Sequence, residues 1–534
     1  MPLPDKNIAW PPKTHAPAFA AMAVDDAWYT GDTDALADNY TKMPAIRPSQ
    51  YQGGLVGSVA RFFWGRPTSR EQANTRVHLP VPSDLATTSA DLLFSEAPRI
   101  LMPEGTATSR AQERIDAIIN TPDMHSRWLE AAEVSAALGG VYLRLVWDTE
   151  FADHVMVDPV HADRAVPEFR WGKLSAVTFW TQLESGDNGV VLRHLERHES
   201  GRILHGLYRG DSSHLGMAIP VEEHPDTEWL ADVIDAEGGI DTGVLDLTCT
   251  YVPNIRPNRK WRNYPEISSL GRSDYEGVEP LFDALDETYS SWMRDIRLAK
   301  ARLIVPEAYL ESTAPGRRKM FDDDQEIFTP ITALGKMGDA TLEAHQFAIR
   351  NEEHRATSVE ILRAILRSAG YSASTFGDDP MAVSTTATEV KARERMSERT
   401  RDKKSRYWAA ALGPFVRTLL NVDAQVFPGN GAATDEIPEV KFQETVQKDP
   451  LELAQTAKEL RTAEAASTET LVRMQHPNWD GPTVDEEVAR IQKERGSASP
   501  DPFGFGASNQ TPINITPPEG GEPEEDEEDE AVSS

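Results

Sequence analysis

A single cysteine, Cys249, serves a chain of 534 residues, so neither an intrachain disulfide framework nor a cysteine-rich zinc site can form. Its surroundings, Val244–Tyr251, read as β-like, where a lone thiol packs as a small hydrophobe. No uninterrupted apolar run approaches the roughly 20 residues of a membrane-spanning helix. The opening MPLPDKNIAW has neither the basic start nor the apolar stretch of a secretory signal. These absences lead to the expectation of a soluble, cytoplasmic protein with no membrane partner. Basic residues are scarce as well: 54 Lys and Arg stand against 86 Asp and Glu, a net charge of −32. Nine of the acids lie between Glu519 and Glu530, which leaves about −23 on the remainder. Such a surface disfavours tight, non-specific DNA binding but does not forbid transient passage of DNA.

At this length one hydrophobic core usually stops growing, so two or more regions are expected. The 39% hydrophobic content permits them, and 37 prolines with 34 glycines interrupt them often. After a proline-marked arm, helices are expected at Ala18–Tyr29, Asp84–Phe94 and Ala111–Leu138, the last broken at Pro122. The period then changes. Val141–Trp147, Val155–Val157, Val177–Trp180, Val190–Leu195 and Ile203–Tyr208 read as short strands, antiparallel because few gaps could hold a crossover helix. Arg256–Arg262 reads as a basic turn. Long helices follow at Val278–Ile304, stopped by Pro306, at Ala340–Ser368, and at Thr388–Leu420, where Gly413-Pro414 should bend or interrupt the last. Between the first two, Ala308–Ile331 is extended. Leu451–Ala465 and Val484–Glu494 are the final helices, and Gly496–Ser534 has the composition of disorder. The fold class is α+β, without a strong internal repeat.

Nothing in the chain assembles a catalytic motif. The glycines at 53, 54, 57 and 65 lack the Lys-Ser/Thr of a phosphate loop. His194 and His198 have helical metal spacing, but their context favours a strand and lacks the Glu of a zinc protease. Asp322, Asp323 and Asp324 could supply oxygens to magnesium in a nuclease, yet they follow Arg317, Arg318 and Lys319 and fit a charged loop or subunit contact more simply. Gly370–Ser374 is not a nucleophile elbow. Neither metal nor cofactor is called for, and the chain does not read as an enzyme. The segment Lys391–Arg406 carries Lys391, Arg393, Arg395, Arg399, Arg401, Lys403, Lys404 and Arg406 against Glu394, Glu398 and Asp402. Spread around a helix, these charges should form no narrow basic stripe. They suit an intrahelical or inter-subunit network better than DNA phosphate.

Several peptides in order carry a resemblance. They are RPSQYQGGLVG at 47–57, FWGRP at 63–67, LATTSADLLFSEAP at 85–98, AALGGVYLR at 136–144, AGYSASTFG at 369–377 and TATEVKAR at 386–393. Together they resemble tailed-bacteriophage portal proteins of the SPP1-like family, in the branch found in siphophages of actinobacteria. The likeness runs through residues 1–495, and the acidic tail adds little to it.

The resemblance implies a homo-oligomer, generally of twelve subunits, around a DNA channel at the unique capsid vertex of the virion, assembled in the host cytoplasm. Its implied partners are the terminase large subunit, a head-completion or adaptor protein, major capsid and scaffold proteins, and double-stranded DNA passing without sequence readout. It also implies a portal fold with a mixed wing, a long-helix stem, a small α/β clip and a helical crown. On that pattern 1–45 is an N-terminal arm and helix, 46–270 the wing, 271–306 the first stem helix and 307–339 the clip. Residues 340–370 form the second stem helix, 371–387 the tunnel-loop region, 388–425 the long wing/crown helix, 426–495 the crown and 496–534 the disordered acidic tail. Arg317, Arg318, Lys319, Asp322, Asp323 and Asp324 become candidates for partner docking. Asp378, Asp379, Thr385, Thr386 and Thr388 become candidates for approach to DNA, with Lys391, Arg393, Arg395 and Arg399 on the basic helix. The alternatives are another oligomeric head–tail adaptor, which would be smaller and need no paired long helices, and a metal-dependent nuclease built on Asp322–Asp324.

Overall fold

A computed structural model describes residues 3–4, 7–42, 76–103, 110–185, 189–298, 302–304, 343–345, 350–377, 387–442, 450–476, 479 and 481–497. The chain divides into one unit of residues 1–445 and a second of 446–534.

In the first unit α1 (Ala16–Thr30), α2 (Thr33–Lys42) and α3 (Val81–Phe94) precede the short strand β1 (Arg99–Leu101). The helical stretch expected at 111–138 divides at its proline into α4 (Arg110–Ile118) and α5 (Pro122–Leu138). Pro122 sits where its missing N–H costs nothing, and the Thr121 hydroxyl caps the new helix by accepting from Met124 N at 3.3 Å. Gly139, at φ 86°, ends α5 in the left-handed conformation that glycine adopts without strain.

The strands follow as β2 (Gly140–Val146), β3 (Met156–His161), β4 (Ala165–Arg170), β5 (Lys173–Ser185), β6 (Val191–Glu199), β7 (Arg202–Gly210), β8 (Met217–Ile219), β9 (Gly239–Asp241) and β10 (Cys249–Pro253). They form two sheets, β10-β2-β3 and β4-β5-β6-β7-β8, with β9 also pairing β7. Every ladder in them is antiparallel, as the short gaps required.

The three-stranded sheet divides two hydrophobic cores, and β2 displays the period-two logic that makes this possible. Tyr142 faces one core, with Trp28, Phe179, Tyr251 and Phe282. Val141, Leu143 and Leu145 face the other, with Ile115, Trp128, Trp408 and Phe415. Cys249 is buried in β10 as a packing residue.

Beyond β10 the chain forms α6 (Glu279–Leu298), β11 (Arg302–Ile304), β12 (Glu343–His345) and α7 (Asn351–Ala369). This corrects the two long helices read from sequence. Leu303 and Ile304 sit at helical spacing, but β11 pairs antiparallel with β12, a partner some forty residues away that local periodicity cannot reveal. The next helix, α8 (Ala387–Val426), runs 40 residues with Pro414 inside it, so the interruption expected as one outcome at Gly413-Pro414 does not occur. Pro414 removes one helical hydrogen bond. Burial of Leu412, Phe415, Val416, Leu419 and Leu420 around it offsets that loss. Gly413 lets the backbone at Pro438 approach, since a Cβ there would lie 2.9 Å from Pro438 O. β13 (Glu439–Lys441) then closes a ladder with β1.

The second unit contains α9 (Pro450–Thr462), α10 (Thr468–Gln475) and α11 (Gly481–Ser497). Ser467 caps α10 by accepting from Thr470 N at 3.1 Å. Ala457, Val472 and Val484 are its buried apolar side chains among the described residues.

Candidate functional site

The helices α6 and α7 form an antiparallel hairpin. At the end toward the β11–β12 ladder, Asp295 late in α6 accepts from Arg350 Nε at 2.9 Å and pairs with His354 Nε2 at 2.9 Å, early in α7. His354 also stacks on Trp292. At the other end Phe282 and Leu285 of α6 share one core with Ile365 and Leu366 of α7. The hairpin is therefore buried at its base and half-buried toward the β11–β12 ladder, because its apolar stripe has core to pack against only at one end. At that base Asp286 accepts from Tyr40 OH (2.7 Å) and Leu79 N (3.0 Å) and pairs with His78 Nδ1 (2.9 Å).

The hairpin base meets the long helix at a buried polar joint. Lys404 Nζ donates to Asp274 Oδ2 at 2.6 Å, Ser89 Oγ at 2.6 Å and Tyr371 OH at 3.0 Å. Tyr371 OH donates to the same Asp274 oxygen at 2.7 Å, and Asn254 Nδ2 satisfies the other at 2.8 Å. Burial pulls the Lys404 ammonium below its ordinary pKa, and the Asp274 charge opposes that pull. Residues 370–377, which carry part of the family resemblance and fail to be a nucleophile elbow, are strapped onto α8. Thr400 Oγ1 donates to Gly370 O at 2.6 Å, Ser372 N donates to Ser397 Oγ at 2.9 Å, and Thr375 Oγ1 lies 2.8 Å from Ser397 Oγ.

This inward face reorganises the basic segment. Lys404 is buried, and Arg401 turns in to donate to Leu92 O at 2.9 Å. Arg395, Arg399, Lys403 and Arg406 are exposed. Their spacing of four, four and three residues places them on successive turns of one side, so a narrow basic stripe exists where the full list of charges argued against one. Glu394, Glu398 and Asp402 occupy the neighbouring flank of the same helix. The far end of α8 is fixed by Asp423, which accepts from Arg114 Nε (2.8 Å), Arg114 Nη2 (2.9 Å) and Val155 N (3.0 Å).

His194 and His198 share a face of β6 with Glu196 between them. His198 lies 2.6 Å from Glu196 Oε1 and 2.7 Å from Thr248 Oγ1, while His194 Nε2 lies 3.2 Å from His205 Nδ1. Arg144 donates to the second Glu196 oxygen at 2.7 Å. Burial would raise the Glu196 pKa, but His198 and Arg144 together hold it well below the carboxylate range. Burial lowers His205 to about 4. Every strong acceptor here is satisfied by protein, and no group of three metal-ligating side chains occurs among the described residues.

Of the other candidates, Arg317, Arg318, Lys319, Asp322, Asp323 and Asp324 lie outside the described residues, as do Asp378, Asp379, Thr385 and Thr386. Thr388, Lys391 and Arg393 lie on α8. No described helix is long and apolar enough to cross a membrane.

Residues 235–501, half of the chain and the part holding the hairpin, the strap and the long helix, match the family model described as phage portal protein, SPP1 Gp6-like. The chain belongs to that portal family. Solved structures similar to this portal chain include the neck of an empty GTA particle computed with C6 symmetry. It is 11% identical with a TM-score of 0.38, over 78% of this chain and 92% of that one. The virion of the native gene transfer agent (GTA) particle gives 11% identity and a TM-score of 0.35 over 82% and 98%. The neck of the native GTA particle computed with C12 symmetry gives 11% and 0.36 over 78% and 92%. No curated protein matches the sequence.

Proposed function

We infer that this portal chain is the subunit of a closed ring, generally of twelve copies, that forms the DNA channel at one capsid vertex. The observation that carries the reading is the family match across residues 235–501, which spans the α6–α7 hairpin and the 40-residue α8. A hairpin buried only at its base leaves apolar side chains half-covered in one subunit, and copies around a ring can cover them. The α+β region to about residue 270 is then the wing, α6 and α7 belong to the stem, residues 307–339 are the clip, and α8 is the long wing/crown helix. The proposed tunnel-loop region is residues 371–387, with Asp378, Asp379, Thr385 and Thr386, and its first residues are held to α8 by the Ser372 N to Ser397 Oγ bond.

In this reading the ring sits in the virion, receives DNA driven by the terminase large subunit, and later engages a head-completion or adaptor protein. Major capsid and scaffold proteins hold it at the vertex. Arg317–Asp324 in the clip supply the docking charges. DNA passes without base readout, contacted through its backbone. The exposed Arg395 and Arg399 are available to phosphate or to the acidic flank of a neighbouring α8. The role is structural, without catalysis.

Negative-stain electron microscopy of the purified chain tests the reading. Closed rings near twelvefold symmetry with a lumen wider than the roughly 20 Å of duplex DNA are expected. A monomer or closed dimer that persists at high concentration and with scaffold or capsid protein added refutes it.

A further inference from the structure

Trp171 is 97% exposed, the most exposed of the large apolar side chains on the described surface. It stands at the tip of the β4–β5 hairpin, where Arg170 pairs with Lys173 and leaves Trp171 and Gly172 as a two-residue turn. Both turn residues have positive φ, 53° and 77°. That is the turn geometry that matches strand twist, but its first position favours Asn, Asp or Gly, and a bulky side chain there is strained. Folding of this chain gains nothing from an indole at this turn, which buries no surface, or from a bulky side chain where Asn, Asp or Gly would close the same turn without strain. Both become useful in an interface, where Trp and Arg are the residues that most often anchor binding. Arg170 and Lys173 flank the indole, are exposed, and have no ion pair among the described residues.

The same chain carries a recess that complements this knob. It has a volume of about 1030 Å³ and is lined by the start of α5, the turn before β3 and the residues just after α8. Met124, Val157 and Phe427 give it apolar lining, and Phe151 on its edge is 79% exposed. Its charged edge carries Asp123, Glu150 and Asp153. Asp123 is paired with Arg127 at 3.0 Å and Asp153 with His154 at 3.0 Å, so the edge stays acidic on balance. The knob and the recess are separate patches. The strands bearing Trp171 pack on the core of Tyr251 and Phe179, whereas the recess is backed by Ile118, Met124 and Val157 of the other core.

We propose that Trp171 of one subunit seats in this recess of a second copy of the chain, with Arg170 and Lys173 against Glu150 and the acidic edge. The contact deepens the ring reading and rests on it. Because donor and acceptor surfaces differ, the interface is heterologous, the kind that repeats from subunit to subunit until a ring closes. Burial of the indole and of Phe151 supplies the apolar contact, and the opposite charges set register and suppress a reversed pairing.

The test is the full chain carrying Trp171→Cys and Phe151→Cys together, mildly oxidised and run on a non-reducing gel beside electron micrographs of the same sample. Both positions are highly exposed, and the native Cys249 is buried, so folding and background cross-linking are little affected. A covalent ladder from the double variant is expected, with no species above a dimer from either single variant. Trp171→Ala should raise the concentration needed for ring assembly at least tenfold. Rings without a ladder, and Trp171→Ala rings that assemble like wild type, overturn the proposal, leave the ring reading intact and assign the knob to a different virion protein. A lack of both rings and ladder, with capsid or scaffold protein added, overturns the ring reading and this contact with it.

Discussion

Replacing Lys404 with methionine keeps an unbranched side chain, one atom shorter, and deletes the ammonium with its charge and donors. Lys404 is 3% exposed, and its partner Asp274 has a side chain with 0% exposure, so solvent cannot stand in for the lost ammonium. Removing one member of a buried ion pair costs about 3–5 kcal/mol, mostly because the survivor is left charged in a poor dielectric. Asp274 keeps Asn254 and Tyr371 as donors, which places the expected loss near the lower end, about 3 kcal/mol. Adding Asp274→Asn to Lys404→Met should recover much of that loss, since an uncharged pair of similar volume no longer strands a charge. The coupling between the two sites should exceed about 1 kcal/mol. Urea unfolding followed by tryptophan fluorescence reads the change directly, because Trp408 lies one turn further along α8 and is buried. A Lys404→Met protein within about 0.5 kcal/mol of wild type, the noise of a surface substitution, or a double variant no better than the sum of the singles, would refute the account of the joint.

Acid should destabilise the sheet that carries the histidines. His205 is held at about 4 against an ordinary 6.5, so between these values the unfolded chain takes up a proton that the folded chain refuses. Stability therefore falls as pH drops through that window, by up to about 3 kcal/mol. His194, also lowered by burial, adds in the same direction, and Glu196, held below its ordinary value, adds a further loss below about pH 4.5. His205→Asn should flatten the slope between pH 6.5 and 4.5 in fluorescence-monitored unfolding; an unchanged slope would place the acid sensitivity elsewhere. Asp423→Ala strips two Arg114 bonds and one from Val155 N, and should cost about 2–4 kcal/mol in the same assay. The pair Arg395→Glu and Arg399→Glu should leave stability within about 0.5 kcal/mol, both side chains being exposed, while lowering the yield of DNA-filled particles. Wild-type yield would remove the stripe from any contact with DNA or a neighbouring subunit.

How far the fold could be read in advance depended on whether its causes were local. The break at Pro122 and the helix end before Gly139 were legible because proline geometry and glycine freedom act on the residues that carry them, whereas the β-like reading of Val244–Tyr251 caught only Cys249–Tyr251 of β10. The β11–β12 ladder was not, since Leu303 and Ile304 satisfy a helical pattern until a partner forty residues away competes for them. The continuity of α8 through Pro414 was likewise a tertiary outcome, decided by five buried side chains around one missing donor. The basic segment was misread for a related reason. Counting charges treats all eight residues alike, and only the fold tells Lys404, whose acid lies 130 positions earlier, from Arg395 and Arg399, which face water. The family resemblance did rest on local peptides, and it survived.

One face of α8 explains why these pieces hold together. Ser397, Thr400 and Lys404 follow at intervals of three and four residues, and Trp408 and Leu412 continue the same side. All five are buried, but the stripe changes chemistry along its length. Its first half grips by directed hydrogen bonds to Gly370, Ser372, Asp274 and Tyr371, and its second half by apolar packing against Phe94 and Trp128. Apolar packing tolerates small slides between surfaces, whereas a buried lysine with three partners accepts one register. The directed half sits where the hairpin base and the strap converge, so the angle between hairpin and long helix is set by the joint least able to slip. On the ring reading proposed above, a subunit that repeats one geometry needs its rigid register there, and the change from polar to apolar along a single helical face supplies it.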